Sequence, residues 1–292
     1  MTITPSERLI HLHAAPYLTW HRLRTLYYID PSFSAVYTFS PTRLQEKLKL
    51  SSMQAAGLFE YLHNTSTGTT AAYYHSCGVK TVTSLDSSYP QRLLSIYDPP
   101  WVLYFLGEKA LFDSSKMLAV VGSRTPTTYG KTIISMFMPE LSRDRVTVIS
   151  GLASGIDGEA HKQCIANGGR TIAVLGSGFK HIYPTQHTEL AGQIKNNHLL
   201  VSEYPPDVPP RKWQFPMRNR IISALSDAVF VVEAKERSGS LITAYQGLEQ
   251  GRDIKALPGP ILSKESAGTN QLIAEGAEPV LKYADLMASS WR

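Results

Sequence analysis

Along the first quarter of the chain, apolar residues recur three and four positions apart. Trp20, Leu23, Leu26 and Tyr27 form one such set, Leu44 and Leu48 another, and Ala55, Leu58, Phe59 and Leu62 a third. That spacing puts each set on one face of a helix. Start signals accompany them. Ser6 can cap a helix running through Glu7-Arg8-Leu9-Ile10-His11-Leu12, Ser40-Pro41 places proline in a first turn, and Ser51-Ser52 opens a third helix. The pattern predicts a small all-α domain over residues 1–78. Between 79 and 107 the style changes to strand-like runs at Val79–Thr83 and Trp101–Leu106, with turns at Tyr89-Pro90 and Asp98-Pro99-Pro100.

From Met117 the alternation becomes regular. Strands are predicted at Leu118–Val121, Val146–Ile149, Thr171–Leu175, His198–Ser202, Ala228–Val232 and Asp253–Leu257. Helices are predicted from about Thr128 to Leu141, Ile156 to Ala166 and Ser240 to Glu249, with one more short helix over Tyr283–Arg292. Continuous apolar strands separated by amphipathic helices mean α/β: a mostly parallel sheet with helices on both faces, filling residues 79–292. Right-handed crossovers then bring the C-terminal ends of the strands to one edge.

That edge is where the sequence is most informative. The strands run into Gly122-Ser123-Arg124, Ser150-Gly151, Gly176-Ser177-Gly178 and, after a longer turn, Ser238-Gly239-Ser240. Open α/β sheets bind ligands outside the carboxyl ends of their strands. Glycines let backbone N–H groups approach a ligand, and helix N-termini add donors suited to phosphate. A single Gly-Ser is only a tight turn, but a row of them along one edge points to an anion. Cations accompany the row: Arg124, Lys180 after Gly178-Phe179, Arg218 and Arg220 just before an expected helix, and Lys235 with Arg237. Aromatic residues are interleaved, namely Phe179, Tyr183, Trp213 and Phe215, with Phe179 expected to be the most exposed. So many cations exceed the needs of one dinucleotide and suit a strand with a phosphate at every nucleotide. Aromatics can stack its bases whatever their sequence.

Composition narrows the field. The 292 residues are 43% hydrophobic and 18% charged, a globular balance, and the net charge of +5 permits a polyanionic partner without requiring one. Two cysteines, Cys77 and Cys164, lack CxxC spacing, so a reducing compartment and no zinc site are expected, with Cys164 facing the core. The first residues do not read as a secretory signal and no run approaches the length of a membrane helix, so a cytoplasmic protein is expected. There is no GxxxxGK[ST], and Gly151-Leu152-Ala153-Ser154-Gly155 departs from GxGxxG at Ala153 and Ile156. Asp157 and His161 lie one helical turn apart, but no third metal ligand joins them. Glu203 and Glu233 end two strands and read as carboxylates that orient arginines or, for Glu233, fix the Ser238-Gly239-Ser240 turn. No GxSxG elbow is present.

The motifs Val121–Arg124, Ser150–Asp157 with Ala160-His161, and Gly176–Gly178 with Ile182-Tyr183-Pro184 resemble, in order and spacing, the DNA processing protein A (DprA/Smf) family. So do Ser202–Pro206, Phe215-Pro216 with Arg218–Ser223, Val231–Ala234, Arg237–Ala244 and Gly268–Asn270. The resemblance spans about Tyr89 to Leu281. It implies an extended Rossmann-like domain preceded by a sterile-alpha-motif-like (SAM-like) domain, and a homodimer that needs no cofactor or metal and is not an enzyme. It also implies binding of single-stranded DNA during natural transformation and loading of RecA recombinase onto it. The expected nucleic-acid-binding residues are Gly122, Ser123, Arg124, Ser154, Gly155, Gly178, Phe179, Lys180, Tyr183, Phe215, Arg218, Asn219, Arg220, Lys235, Arg237 and Ser240.

The sequence departs from the family habit at Gln214, Met217 and Tyr245, where relatives favour basic or histidine residues, and this thins the expected positive field. The alternative is an enzyme, a nucleotide-hydrolysing Rossmann protein of the lysine-decarboxylase-like (LOG) group. Its PGGxGTxxE motif is approached only by Pro258-Gly259-Pro260 and the later Gly268-Thr269-Asn270, without the glutamate.

Overall fold

Side-chain caps decide where the N-terminal helices begin. Helix α1 (Pro5–Ala14) starts at Thr4, whose hydroxyl accepts from the Glu7 amide while the Glu7 carboxylate accepts from the Thr4 amide. Ser6, the cap expected from sequence, instead donates to Asp86 at 2.5 Å. Helix α2 spans Trp20–Ile29. Ser40 caps α3 (Pro41–Leu48), Ser51 and Gln54 form a capping box on α4 (Ser52–Asn64), and Ser66 caps α5 (Thr67–Ser76). Their inward faces bury Leu9, Leu12, Leu23, Leu26, Leu44, Leu48 and Leu58.

The computed structural model describes residues 3–291. The chain divides into two units. One comprises the residues up to Tyr89 together with Tyr97–Tyr104, the other Pro90–Ile96 and the chain from Phe105 onward. The first unit therefore extends past residue 78. It takes in β1 (Lys80–Thr83) and the beginning of β2 (Val102–Gly107), and Trp101 packs there against Tyr27 and Phe33.

The second unit contains the short α6 (Gln91–Leu94) and the regular alternation: β3 (Met117–Val121), α7 (Thr128–Arg143), β4 (Thr147–Ser150), α8 (Ile156–Ala166), β5 (Arg170–Leu175), α9 (Thr188–Asn197), β6 (Leu199–Ser202), α10 (Gln214–Leu225), β7 (Ala228–Val231), α11 (Gly239–Glu249), β8 (Asp253–Ala256), α12 (Ala267–Ala274) and β9 (Glu278–Pro279). These strands lie in the order β6-β5-β4-β3-β7-β8-β9, and every adjacent pair is parallel. The chain steps outward from β3 to β6, then returns to the other side of β3 to form β7, with Val121 opposite Val231. The β3/β7 boundary is thus the point where strand order reverses, and there the loops leaving neighbouring strands diverge and leave a crevice. Helices α7 and α8 bury Ile134, Phe137, Met138, Ile156 and Cys164 with Leu118, Val120, Val148 and Phe230. Leu190 and Ile194 of α9 pack with Ala173, Leu175 and Leu200.

Two expected elements differ. Arg218 and Arg220 lie inside α10, not before it, because Pro216 occupies the helix's first turn, where a missing N–H costs nothing. The final segment forms 3-10 turns at Tyr283–Leu286 and Ser289–Trp291 in place of one helix. Asp285 accepts from the Leu281 and Lys282 amides, and the extended Met287 ends the first turn. Arg292 of the expected helix lies outside the described residues.

Candidate nucleic-acid interface

A cavity of about 620 Å³ opens at the C-terminal edge of the sheet over the β3/β7 switch point. The loop after β3 gives it Gly122, Ser123 and Arg124; the loop after β5 gives Tyr183; the start of α10 gives Phe215, Arg218 and Asn219; and the segment after β7 gives Lys235 and Ser240. Those predicted residues are brought together.

Close backbone approach builds the rim. Gly155 has φ +79°, and a Cβ there would run into the Ser123 and Arg124 backbone. The contact lets the Ile156 amide donate to the Ser123 carbonyl at 3.0 Å. The first-turn amides of α8 are thereby engaged, since Gly158 donates to Ala153 and Glu159 to Gly155. The start of α7 is also occupied: Glu233 accepts from the Thr127 amide at 2.8 Å and from its hydroxyl. Glu233 therefore anchors α7, not the Ser238-Gly239-Ser240 turn. Helix α11 differs. Ser238 at its N-cap makes no side-chain bond to the first amides, and Ser238, Gly239 and Ser240 all line the cavity. The Leu241 amide donates to the Ser238 carbonyl at 3.2 Å, and the amides of Gly239 and Ser240 before it lack intrahelical partners, so α11 directs donors and positive dipole at the cavity.

The floor is a buried cation. Arg218 is 4% exposed; its guanidinium donates to the Gly151 carbonyl at 2.6 Å, to the Val174 carbonyl, and to Asn219 Oδ1 at 3.1 Å. Burial brings its pKa down to about 10, with Asp157 opposing that shift, so it stays charged at neutral pH. Burial raises the Asp157 carboxyl, opposed by Arg218 and by the Gly151 amide, which donates to it at 3.1 Å. The cations above are exposed. Arg124 has no ion-pair partner among the described residues. Lys235 pairs with Glu265 at 3.0 Å, and the same carboxylate accepts from Ser123 at 2.7 Å. Tyr183, 49% exposed, tilts against Phe215 with ring centroids 5.5 Å apart.

Other predicted residues lie elsewhere. Arg220 is not on the cavity. At 4% exposure it is held by Glu203 at 2.7 Å, a buried strut formed because α10 turns this position toward β6 and away from solvent. Glu203 thus orients an arginine, as its place in the sequence suggests. Phe179 is half-buried against the cluster of Leu152, Leu175 and Leu190, which uses the ring as core and corrects the expectation of exposure. Gly178 is tied down by its amide's bond to Val208 at 2.8 Å. Lys180 is exposed and pairs with Asp207 at 2.8 Å. Ser154 accepts from Gln186 at 3.0 Å, and Arg237 is exposed in left-handed backbone at φ +57°. The metal-like spacing of Asp157 and His161 is structural, since His161 Nδ1 bonds Thr171 Oγ1 at 2.6 Å and Asp157 serves Gly151. Among the described residues, no group of His, Cys, Asp and Glu could hold a metal ion.

The family model described as DNA recombination-mediator protein A matches residues 80–290. The chain belongs to that family. The DNA recombination-mediator protein A region contains every cavity residue named above, whereas α1 to α5 precede it. The chain is 42% identical over 257 residues to the DNA processing protein DprA of Bacillus subtilis (strain 168), covering 88% of this chain and 86% of that protein. It is similar to the X-ray structure of DprA from Streptococcus pneumoniae, with TM-score 0.83 and 36% identity over 98% of both chains. It is also similar to DprA from Helicobacter pylori, a structure described for its single-stranded DNA binding mode. The TM-score there is 0.65 at 31% identity, over 71% of this chain and 93% of that one.

Sequence reasoning missed Lys212 and Thr125, both of which line the cavity. The triplet Arg211-Lys212-Trp213 carried the signal, a basic pair beside a tryptophan at the end of a proline-rich loop. Trp213 is 57% exposed and stands edge-on to Tyr204, centroids 6.1 Å apart.

Proposed function

We propose that this chain binds single-stranded DNA along the C-terminal edge of its sheet, protects DNA taken up in natural transformation, and loads RecA recombinase onto it without chemistry of its own. The observation that carries the reading is the cavity itself. Arg124, Lys212 and Lys235 stand around the uncapped start of α11, with Tyr183 and Phe215 beside them. Cations and amides suit phosphates, and the aromatic faces suit unstacked bases. The single-stranded DNA binding mode described for the Helicobacter pylori relative supports the same assignment.

In this reading Arg124 meets a phosphate directly. Lys235 exchanges Glu265 for a second phosphate, Lys212 follows the backbone, and Tyr183 and Trp213 stack bases. Arg218 and Arg220 act from below, by fixing the loops. Lys180 and Arg237 extend the path beyond the cavity. The stripe of exposed Ile242, Tyr245 and Leu248 on α11 supports self-association as a homodimer. The free Cys77 and Cys164 support a cytoplasmic setting, and no helix among the described residues is long and apolar enough to cross a membrane.

Equilibrium binding to oligothymidylate tests the proposal. The logarithm of affinity is expected to fall linearly with the logarithm of salt concentration as counterions are released, and Arg124→Ala to weaken binding roughly tenfold. Binding insensitive to salt and to Arg124→Ala would sink the assignment.

A further inference from the structure

A second cavity of about 620 Å³ lies at the opposite, N-terminal edge of the same sheet, where the chain enters β3, β4 and β5. Arg143 and Arg145 line it from the end of α7 and the turn after it, and Arg170 from the start of β5, together with Ser114, Ser142 and Thr147; no carboxylate is part of the lining. Arg143 is partly neutralised by Glu140 and by Asp144 at 3.7 Å. Arg145 and Arg170 are exposed and have no ion-pair partner among the described residues. Thr147 donates to Ser114 at 2.9 Å, while the buried Ser142 Oγ has no hydrogen-bond partner.

Helices α7 and α8 end at this edge, and cations near helix C-termini offset the partial negative charge there. That effect accounts for arginines nearby. It does not account for a concave site lined by hydroxyl-bearing residues without a carboxylate, nor for Arg145 itself. Arg145 follows α7 in left-handed backbone at φ +56°, a conformation glycine adopts without strain. Several arginines contributed by two segments, beside hydroxyl-bearing residues and with no carboxylate in the lining, suit a tetrahedral oxyanion better than a planar carboxylate, which one bidentate arginine can satisfy.

We infer that this cleft is a second phosphate site, independent of the strand-end cavity, taking phosphoryl oxygens from a nucleic-acid backbone or from free phosphate. The test uses the full chain and four variants: Arg145→Gly, Arg170→Gln, the two combined, and Arg124→Ala. Arg145→Gly removes the guanidinium while relieving the backbone, so loss of binding cannot be put down to loss of fold. Inorganic phosphate is titrated at constant ionic strength, which holds screening fixed, and followed by thermal midpoint and by calorimetry. The parent and Arg124→Ala are expected to bind phosphate, and the double variant to bind at least roughly tenfold more weakly.

Oligothymidylates of two lengths then separate the sources. If the backbone is the source, the double variant loses several-fold affinity for the long strand only. If free phosphate is the source, both oligonucleotides bind as they do to the parent. No phosphate binding by the parent, an unchanged response in the double variant, or loss of the response in Arg124→Ala would each overturn the inference.

Discussion

The two ends of the parallel sheet both gather arginines around a cavity of about 620 Å³, yet they are built by opposite means. At the C-terminal edge the cation on the cavity floor, Arg218, is buried and spends its donors on the carbonyls of Gly151 and Val174. Exposed cations, the uncapped α11 and aromatic rings are arranged above it. At the N-terminal edge the unpaired cations are exposed, helix C-termini replace helix N-termini, and no aromatic residue lines the cleft. The first edge sets charge and amide donors beside aromatic rings, the combination the proposed binding of a flexible polynucleotide would use. The second offers charge and hydroxyls alone, enough for an oxyanion. The contrast teaches that the environment of an arginine, more than its presence, separates a scaffold from a contact.

The largest expected effect breaks the scaffold. Arg218→Ala leaves Asp157 buried without its cation and strips donors from two buried carbonyls. It should cost about 3–5 kcal/mol, read as a lowered urea midpoint. A loss below about 1 kcal/mol would place Arg218 among ordinary surface charges and erase the distinction between floor and rim.

Removing an aromatic surface separates stacking from charge. Trp213→Ala should weaken single-stranded DNA binding by about 1–3 kcal/mol and leave the salt slope unchanged, because a base and not a phosphate is lost. Equilibrium titrations at several salt concentrations provide the check.

Acid should act on the interior of the second unit. His161 is buried beside Thr171, and burial together with the nearby His187, His198 and Arg218 holds its pKa down to about 3. The unfolded chain takes up this proton near the ordinary value of 6.5, while the folded chain refuses it until about 3. The unfolded state thus binds more protons across that window. Stability therefore falls as pH drops below 6.5, at about 1.4 kcal/mol per pH unit for this group. His13 in the first unit, lowered to about 4 by burial, adds a similar dependence. His161→Asn should flatten the slope of urea midpoint against pH by about one proton; an unchanged slope would mean that His161 is not buried as a neutral ring.

The smallest effect has the opposite sign. Arg145→Gly should stabilise the fold by roughly 0.5–1 kcal/mol, since only glycine meets φ +56° without strain. Thermal unfolding at low phosphate measures it.

Much of this fold is legible in the residues. The runs at Leu118–Val121 and Ala228–Val232 and the helix at Ile156–Ala166 appear almost where the sequence places them, because buried strands and amphipathic helices write strong periodic patterns. The glycine-serine strand ends likewise locate the cavity. What sequence does not disclose is side-chain direction within α10. Arg218 and Arg220 read as two surface cations two residues apart, but on a helix they point to different neighbours, one to Gly151 and Val174, the other to Glu203. Phe179 misleads for a similar reason: a ring between glycine and lysine looks solvent-facing until α9 supplies the apolar surface it covers. Local spacing does not reveal which helix starts remain uncapped. That depends on tertiary partners such as Glu233 at Thr127 and the Ser123 carbonyl at Ile156.

Photo-crosslinking with an iododeoxyuridine-substituted oligothymidylate bears most directly on whether a polynucleotide lies along the C-terminal strand ends. Adducts are expected at Tyr183, Trp213 or Phe215, and they should disappear at high salt. Adducts confined to the helices of the first unit or to the N-terminal edge of the sheet would contradict that placement.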